Sequence, residues 1–519
     1  MELAWALLAA LLLPVSFLLL LSRAKKNGGD KTGRSLPPGP AVVPVLGNLL
    51  WVRNHGVDIL RAISRLHARH GPLLSLRMGP RLEVTVSDRR LAHAALVERG
   101  AALADRPEFA SRDMLGLNAA TISTSSYGPL WRLFRRNFVA EVATPARLRL
   151  FAPARAAVLA ELTDKLRRRD KQDEETTIVE TFQYAMFRLL VAMCFGEQLS
   201  ERAVRDVAAA QRDLLLYSST KLRVLVFLPA LTTRLFRGRL HAMVAMRQRL
   251  KDMYMPLIDA RRERKEKTKQ EDEATTTTLP HCYVDALLDI RLNDDGGRAL
   301  TDDEMIALCS EFLNGGTDTT STALQWIMAE LVKNPAIQAR LHGEIESTMA
   351  STGADHVSEE DVAKMPYLRA VVLEGLRRHP PGHMVLPHAP AEDMELGGYV
   401  IPKGTTVNFL VADMGMDEAE WERPAEFAPE RFMPGGDGEG VDVTGTREIR
   451  MMPFGAGRRI CPGLNVATLH LEYFVANLVR AFEWRGVEGE EVDVEGEKAE
   501  FTVVMAKPLR ANLVPRGPA

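Results

Sequence analysis

The chain has 519 residues, long enough for one large core or for roughly three domains, with 66 Lys plus Arg against 68 Asp plus Glu. That near-balance removes the compositional case for a nucleic-acid partner. Its four cysteines, Cys194, Cys282, Cys309 and Cys461, are far apart with no Cys-x-x-Cys pair, so neither a disulfide framework nor a zinc-ligand spacing is present.

Leu3 to Ser22 is an almost unbroken apolar run, enough as a helix to cross a hydrocarbon core of about 30 Å. Glu2 precedes it and Arg23, Lys25 and Lys26 follow, which places the bulk of the chain on the cytosolic side. A cleaved signal peptide would carry its basic residues first, so a retained anchor over residues 1–26 is the better expectation. Residues 27–40 form a polar and proline-rich hinge ending in LPPGP, Leu36 to Pro40, whose prolines stiffen the exit. Residues 41–519 then form one body.

In YGPLWRLFRRN, Tyr127 to Asn137, Trp131 and Arg135 are four apart and share a helix face; in isolation they read as core and solvent. Period-3.6 apolar spacing predicts helices at Phe151–Arg168, Thr181–Phe195 and Ala203–Leu216. FLPALTTRLFRGRL, Phe227 to Leu240, fits a membrane-surface segment or a helix-connecting core segment equally. Arg261 to Thr278, a charge run ending in four threonines, reads as a solvated linker.

Thr301 and Glu304 form a capping box for a helical pattern that runs to Lys333, where Asn334-Pro335 stops it. GGTDTTST, Gly315 to Thr322, is poor helix material in its middle. Either two shorter helices break there, or a functional site breaks a local rule. VVLEGLRRHPP puts Glu374 and Arg377 three apart on one face, a weak signal because Glu420 and Arg423 share that spacing by chance. Tyr399 to Val411 holds two β-prone runs about a Pro-Lys-Gly turn, and PGGDGEG, Pro434 to Gly440, is a surface loop without the Lys-Ser/Thr of a phosphate loop. The fold expected is mainly α with small β-sheets.

The stretch PFGAGRRICPG, Pro453 to Gly463, surrounds Cys461 with glycines, arginines and Pro462. Leu464, Ala467, Leu471, Phe474, Val475 and Leu478 recur at helical spacing, so a helix starts just after the cysteine and its positive end favours charge on sulfur. Gly455 and Gly457 permit a tight turn.

Phe454, Gly457, Arg459, Cys461 and Gly463 match F-x-x-G-x-R-x-C-x-G, and the sequence here resembles the cytochrome P450 family, its plant microsomal A-type members in particular. The resemblance covers nearly the whole chain and implies the P450 fold with one N-terminal transmembrane helix. It implies haem b as cofactor, with Cys461 as the iron ligand, Phe454 beside the sulfur and Arg459 on a propionate. Trp131 and Arg135 match the family's W-x-x-x-R motif and become propionate contacts. His388, standing where an arginine often contacts the second propionate, departs from the pattern. Arg431 of PERF joins Glu374 and Arg377 in a buried structural network. Gly315 to Thr320 matches the kinked middle of the helix above the haem, with Thr319 as hydrogen-bond donor toward the reacting oxygen and Asp318 as proton relay. The pocket would be lined by Leu115 to Ser126, Phe312 to Gly316, Met384 to Leu386 and the hairpin near Phe501 to Val503.

The function implied is a monooxygenase of the endoplasmic reticulum membrane that oxidises a small apolar organic substrate with O2. Electrons would come from NADPH-cytochrome P450 reductase, since the chain carries no nucleotide-binding fingerprint, docking near Arg132, Arg136 and Arg458. Two other readings stand beside it: a reductase-independent haem-thiolate isomerase or dehydratase, and a non-catalytic membrane-tethered haem-binding protein.

Overall fold

The computed structural model describes residues 35–516 except 44–45, 56–57, 80, 108–120, 169–176, 197–198, 223–224, 226–228, 269–280, 293–295 and 351–352. The expected anchor, most of the hinge and the first half of the 115–126 pocket segment lie outside the described residues. In chain order the elements that position the site are α1 (Ile59–His70), β1 (Leu73–Met78), β2 (Arg81–Val86), α2 (Pro129–Glu141) and α3 (Ala152–Arg168). They continue with α4 (Ile178–Phe195), α5 (Glu201–Lys221), α6 (Arg237–Thr268), α7 (Asp302–Lys333), α8 (Pro335–Met349) and α9 (Pro366–Arg378). After β3 (Met394–Leu396), β4 (Tyr399–Ile401) and β5 (Thr406–Phe409) come α10 (Leu464–Ala481), β6 (Phe482–Arg485), β7 (Glu497–Ala499), β8 (Val503–Met505) and β9 (Asn512–Pro515).

The sheets are small. β1 and β2 pair antiparallel and β5 adds to β2 in parallel, with Val84 opposite Val407. The two β-prone runs about Pro402-Lys403-Gly404 enter different sheets, because β4 pairs with β3 and not with β5. β7–β8 and β6–β9 are two-stranded.

One continuous core runs through the helices. α4 is long and apolar enough to cross a membrane, but most of it is buried against α7 and α3, which makes it a core helix. α7 is unbroken through Asn314–Gly316, so the two-helix alternative is overturned. Its start carries the expected capping box, and Arg298 with the Thr301 N–H holds the Glu304 carboxyl down to about 2. The hydroxyls in its middle bond back one turn: Thr317 to the Leu313 carbonyl at 2.7 Å, Thr319 to Gly315 at 2.6 Å and Ser321 to Thr317 at 2.8 Å. This satisfies polar groups that would otherwise disfavour a helix inside a core.

The supposed linker is corrected in its first half. Arg261–Thr268 completes α6, and Arg261 is buried against Asp285, whose carboxyl also takes the Cys282 N–H at 3.0 Å. In the neighbouring segment Pro229–Leu235 is helical, Phe236 and Leu240 pack on Leu222, Leu225 and Met243, and Leu235 points outward.

Glu374, fully buried, accepts from Arg377 at 2.7 and 2.8 Å, from Arg431 at 3.2 Å and from the Ala428 N–H at 2.9 Å. Arg377 also donates to the carbonyls of Gly415 and Pro424, and Arg431 to that of Glu422 and to Asp437. The Glu420–Arg423 spacing is coincidental as expected: Glu420 meets Arg89 and Arg450, and Arg423 meets Glu422 and Glu426. Glu374→Ala strands two buried guanidiniums and is expected to cost about 3–5 kcal/mol, read as a thermal midpoint collapse or loss of soluble protein.

Candidate functional site

The cysteine loop is shaped by what its glycines leave out. Gly455 and Gly457 adopt φ of 71° and 69°, and a Cβ on Gly457 would lie 1.9 Å from the Leu96 carbonyl oxygen. Leu96 belongs to a wide helical turn, Ala94–Glu98, so the loop leans directly on that backbone. The Cys461 N–H closes the loop by donating to the Phe454 carbonyl at 2.8 Å, and α10 begins three residues later. Burial pushes the Cys461 thiol up, while the Gly463 N–H and Arg135 pull it down. The helix start and a guanidinium both act on the sulfur against its burial.

Beside the loop three arginines gather, with Asp105 and Glu311 the carboxylates near enough to act on Arg106 and Arg459. Arg459 is spent on backbone carbonyls, donating to Ala104 at 2.7 Å, Ile122 at 3.1 Å and Ser125 at 2.6 Å. Arg106 donates to Ser123 at 2.8 Å, Leu386 at 2.9 Å and Pro387 at 2.7 Å. Burial lowers Arg106 to about 9 and Arg459 to about 10, and both stay charged near neutrality. Arg135 has no carboxylate partner among the described residues; its guanidinium lies 5.5 Å from the centre of the Trp131 ring. Trp131 is buried, donates its indole N–H to the Ile122 carbonyl at 3.0 Å, and has Arg459 over its ring at 4.6 Å.

His388 is buried with both ring nitrogens unpartnered. Burial, then the charges of Arg106 and Arg459, lower it to about 3, offset in part by the Leu386 backbone. A neutral imidazole carries one N–H, so one of its two ring nitrogens can donate to an anion among these cations. Together with the uncommitted charge of Arg135 near Cys461, it fits a ligand bearing carboxylates and a cationic centre, which is the chemistry of an iron porphyrin with two propionates.

The other wall is the middle of α7. A Cβ on Gly316 would press into Leu190 of α4, at 2.7 Å from Cδ1, so this glycine serves packing. Gly315 has no atom within 4 Å of where its Cβ would be and is exposed in a helix that is otherwise largely buried. Thr319, four residues on, shares that open face. Asp318 points elsewhere: it accepts from Arg212 of α5 at 2.8 Å and from Gln183 of α4 at 3.3 Å. Burial raises its carboxyl and Arg212 draws it back down. Arg212 also reaches Glu500 at 3.5 Å, and Thr322 and Trp326 tie α7 to the hairpin through Thr502 and the Val503 carbonyl.

Thus the structure gathers Cys461, Arg459, Trp131, Arg135 and His388 around one region, with Phe454 packed against the main core beside it. Asp318 and Thr319 are adjacent in sequence yet face different neighbours. Arg106, Arg212 and Glu311 have no motif to mark them; their partners lie from 17 to 288 residues away.

A family model described as Cytochrome P450 matches residues 37–513. The chain belongs to the cytochrome P450 family. It is 42% identical over 491 residues to Cytochrome P450 89A9 of Arabidopsis thaliana, spanning 93% of this chain and 94% of that protein. Flavonoid 3'-monooxygenase of Arabidopsis thaliana is 31% identical, with 98% of this chain and 97% of the relative covered. Ent-cassadiene C11-alpha-hydroxylase 1 of Oryza sativa subsp. japonica is also 31% identical, covering 98% of both. A zebrafish cytochrome P450 solved with progesterone superposes with a TM-score of 0.69 at 22% identity, over 88% of this chain and 99% of that one, a likeness of fold. The chain is therefore a P450 monooxygenase of the haem-thiolate class, mainly helical with small sheets.

Gly457→Ala adds a Cβ against the Leu96 carbonyl in a left-handed backbone, and the loop is expected to lose its shape. Purified protein should carry far less haem per chain, measured by pyridine haemochrome, than Gly343→Ala, which meets nothing within 4 Å.

Proposed function

We propose that this P450 is a membrane-anchored enzyme of the endoplasmic reticulum that oxidises a small apolar organic molecule, with Cys461 as the ligand to haem iron. Residues 1–26 serve as anchor, 27–40 as hinge and 41–519 as the catalytic domain. The observation that carries the site assignment is the unsatisfied pair of nitrogens on buried His388 among Arg106 and Arg459, next to the thiol-bearing loop. When bound, haem supplies activation of O2 so that one oxygen atom enters the substrate.

The chain's own residues do the rest. Arg135, His388 and the remaining N–H groups of Arg459 would hold the propionates, Trp131, its one N–H committed to the Ile122 carbonyl, would back both guanidiniums with its ring, Phe454 would shield the sulfur, and Gly457 lets the loop approach. The Gly463 N–H and Arg135 stabilise negative charge at Sγ. On the opposite wall Gly315 leaves room, and the Thr319 hydroxyl, now donating to Gly315, can rotate to offer its proton into the open space. Asp318 takes protons from the solvent side, where Arg212, Glu500 and Lys498 lead from the surface. Excluding bulk water while passing protons one at a time is what this arrangement supplies.

Electrons come from an NADPH-dependent P450 reductase docking near exposed Arg132, Arg136 and Arg458, of which Arg132 and Arg458 converge on Tyr127. The hydroxylase and monooxygenase names of the relatives support oxygen insertion over isomerisation.

The reduced, carbon-monoxide-bound protein should show the red-shifted thiolate Soret band and lose it in Cys461→Ser; its absence in folded, haem-loaded wild type sinks the reading. Thr319→Ala should keep NADPH consumption with purified reductase while product per NADPH falls by roughly 10²-fold, the lower range for a lost proton donor. Unchanged coupling counts against Thr319. Arg212→Ala removes the group that lowers Asp318, so the Asp318 carboxyl rises further. Because relay needs the ionised form, the acidic limb of the product-forming pH profile should move to higher pH.

A further inference from the structure

Glu311 sits one turn before Gly315 and two before Thr319, at four-residue spacing along the same face of α7. Its carboxylate leaves the helix and takes the backbone N–H of Ile122 at 2.8 Å, that of Ser123 at 2.6 Å, and the Ser123 hydroxyl. Three donors from a two-residue stretch on one carboxylate are charge-assisted bonds, the stronger class in proteins. The stretch is neither helix nor strand, and within it Thr121 and Thr124 share a hydroxyl bond at 2.8 Å, the Thr124 N–H reaches the Thr121 hydroxyl at 3.3 Å, and Ser125 returns its N–H at 3.0 Å and its hydroxyl at 2.5 Å to the Thr121 carbonyl.

The other side of the same stretch is spent on two arginines and an indole N–H. Its carbonyls at Ile122, Ser123 and Ser125 accept from Trp131, Arg106 and Arg459. Residues 121–125 are therefore a strap with N–H groups tied to the oxygen-side helix and carbonyls tied to the arginines beside the cysteine loop. Remove the carboxylate, and the strap keeps its arginine contacts but loses its hold on α7.

We propose that Glu311 is a positioning residue: it fixes the 121–125 strap as a wall beside the Gly315–Thr319 face and so sets how well that face holds ligands larger than a single ring. This rests on the proposed assignment of that face to the substrate side of haem. A preorganised wall favours large ligands because they need not order it on binding; a small ligand that stays near the iron does not reach it.

The test uses the full-length haem-loaded protein, as wild type, Glu311→Gln and Ser123→Ala. The first substitution keeps the size of the side chain, leaves one amide oxygen to accept and sets its NH2 against one of the two backbone N–H groups; Ser123→Ala removes the hydroxyl bond alone. Hydrogen–deuterium exchange of the peptide covering Ile122–Ser125 should quicken by about tenfold in Glu311→Gln, the equivalent of about 1.4 kcal/mol, and by less in Ser123→Ala. In spectral titrations Kd for 4-phenylimidazole should rise by about fivefold in Glu311→Gln while Kd for imidazole stays within about twofold. Unchanged exchange in both variants overturns the strap; equal shifts for both ligands overturn its role in selection. If Glu311→Gln does not fold, Ser123→Ala decides by whether exchange quickens in that peptide and nowhere else. A missing thiolate Soret band in wild type would strike the haem assignment, whereas the exchange result depends on neither turnover nor reductase.

Discussion

A fully buried carboxylate must be met by donors or it cannot stay charged, and Glu374 is met by four. The two guanidiniums that satisfy it have donors left over, and these go to carbonyls at Gly415, Glu422 and Pro424. One charge on α9 thereby organises a long stretch of chain that has little helix or sheet of its own. Trp421 completes the arrangement, with Arg377, Arg431 and Arg450 at 5.5, 5.9 and 4.6 Å from its ring. The cysteine loop follows immediately, so its position inherits that order.

Legibility in the sequence followed the range of the forces involved. α3, α4 and α5 lie where apolar periodicity predicts them, and α7 begins at the capping box, because periodicity and caps are local effects. The Glu374–Arg377–Arg431 cluster is legible because two short motifs carry it, E-x-x-R and PERF, which the family resemblance joins. Arg261 lies in a charge run that reads as solvated, because its partner Asp285 stands many residues later in the chain. β4 and β5 were each legible as strands but their partners were not, since pairing depends on chain that lies elsewhere. Arg106 and Glu311 escaped for the same reason, as their roles arise from carbonyls and N–H groups that every residue possesses.

The middle of α7 shows how a helix accommodates residues that disfavour it. Gly315 and Gly316 together forgo roughly 2 kcal/mol of propensity, yet they do unlike jobs, one admitting Leu190 and the other opening a face. The threonines return their hydroxyls to the helix itself. The helix can therefore remain continuous, held by its neighbours on α4 and α10, while presenting a gap.

The contact of Gly457 with the Leu96 carbonyl bears on modularity. PFGAGRRICPG looks like a portable cassette, but its backbone is moulded on the Ala94–Glu98 turn, a different part of the chain. Grafted alone onto another helical scaffold, the eleven residues would lack their template and relax to other turns. A transplant would have to bring the wide turn with it, so the heritable unit of this loop is a pair of segments that the gene keeps far apart.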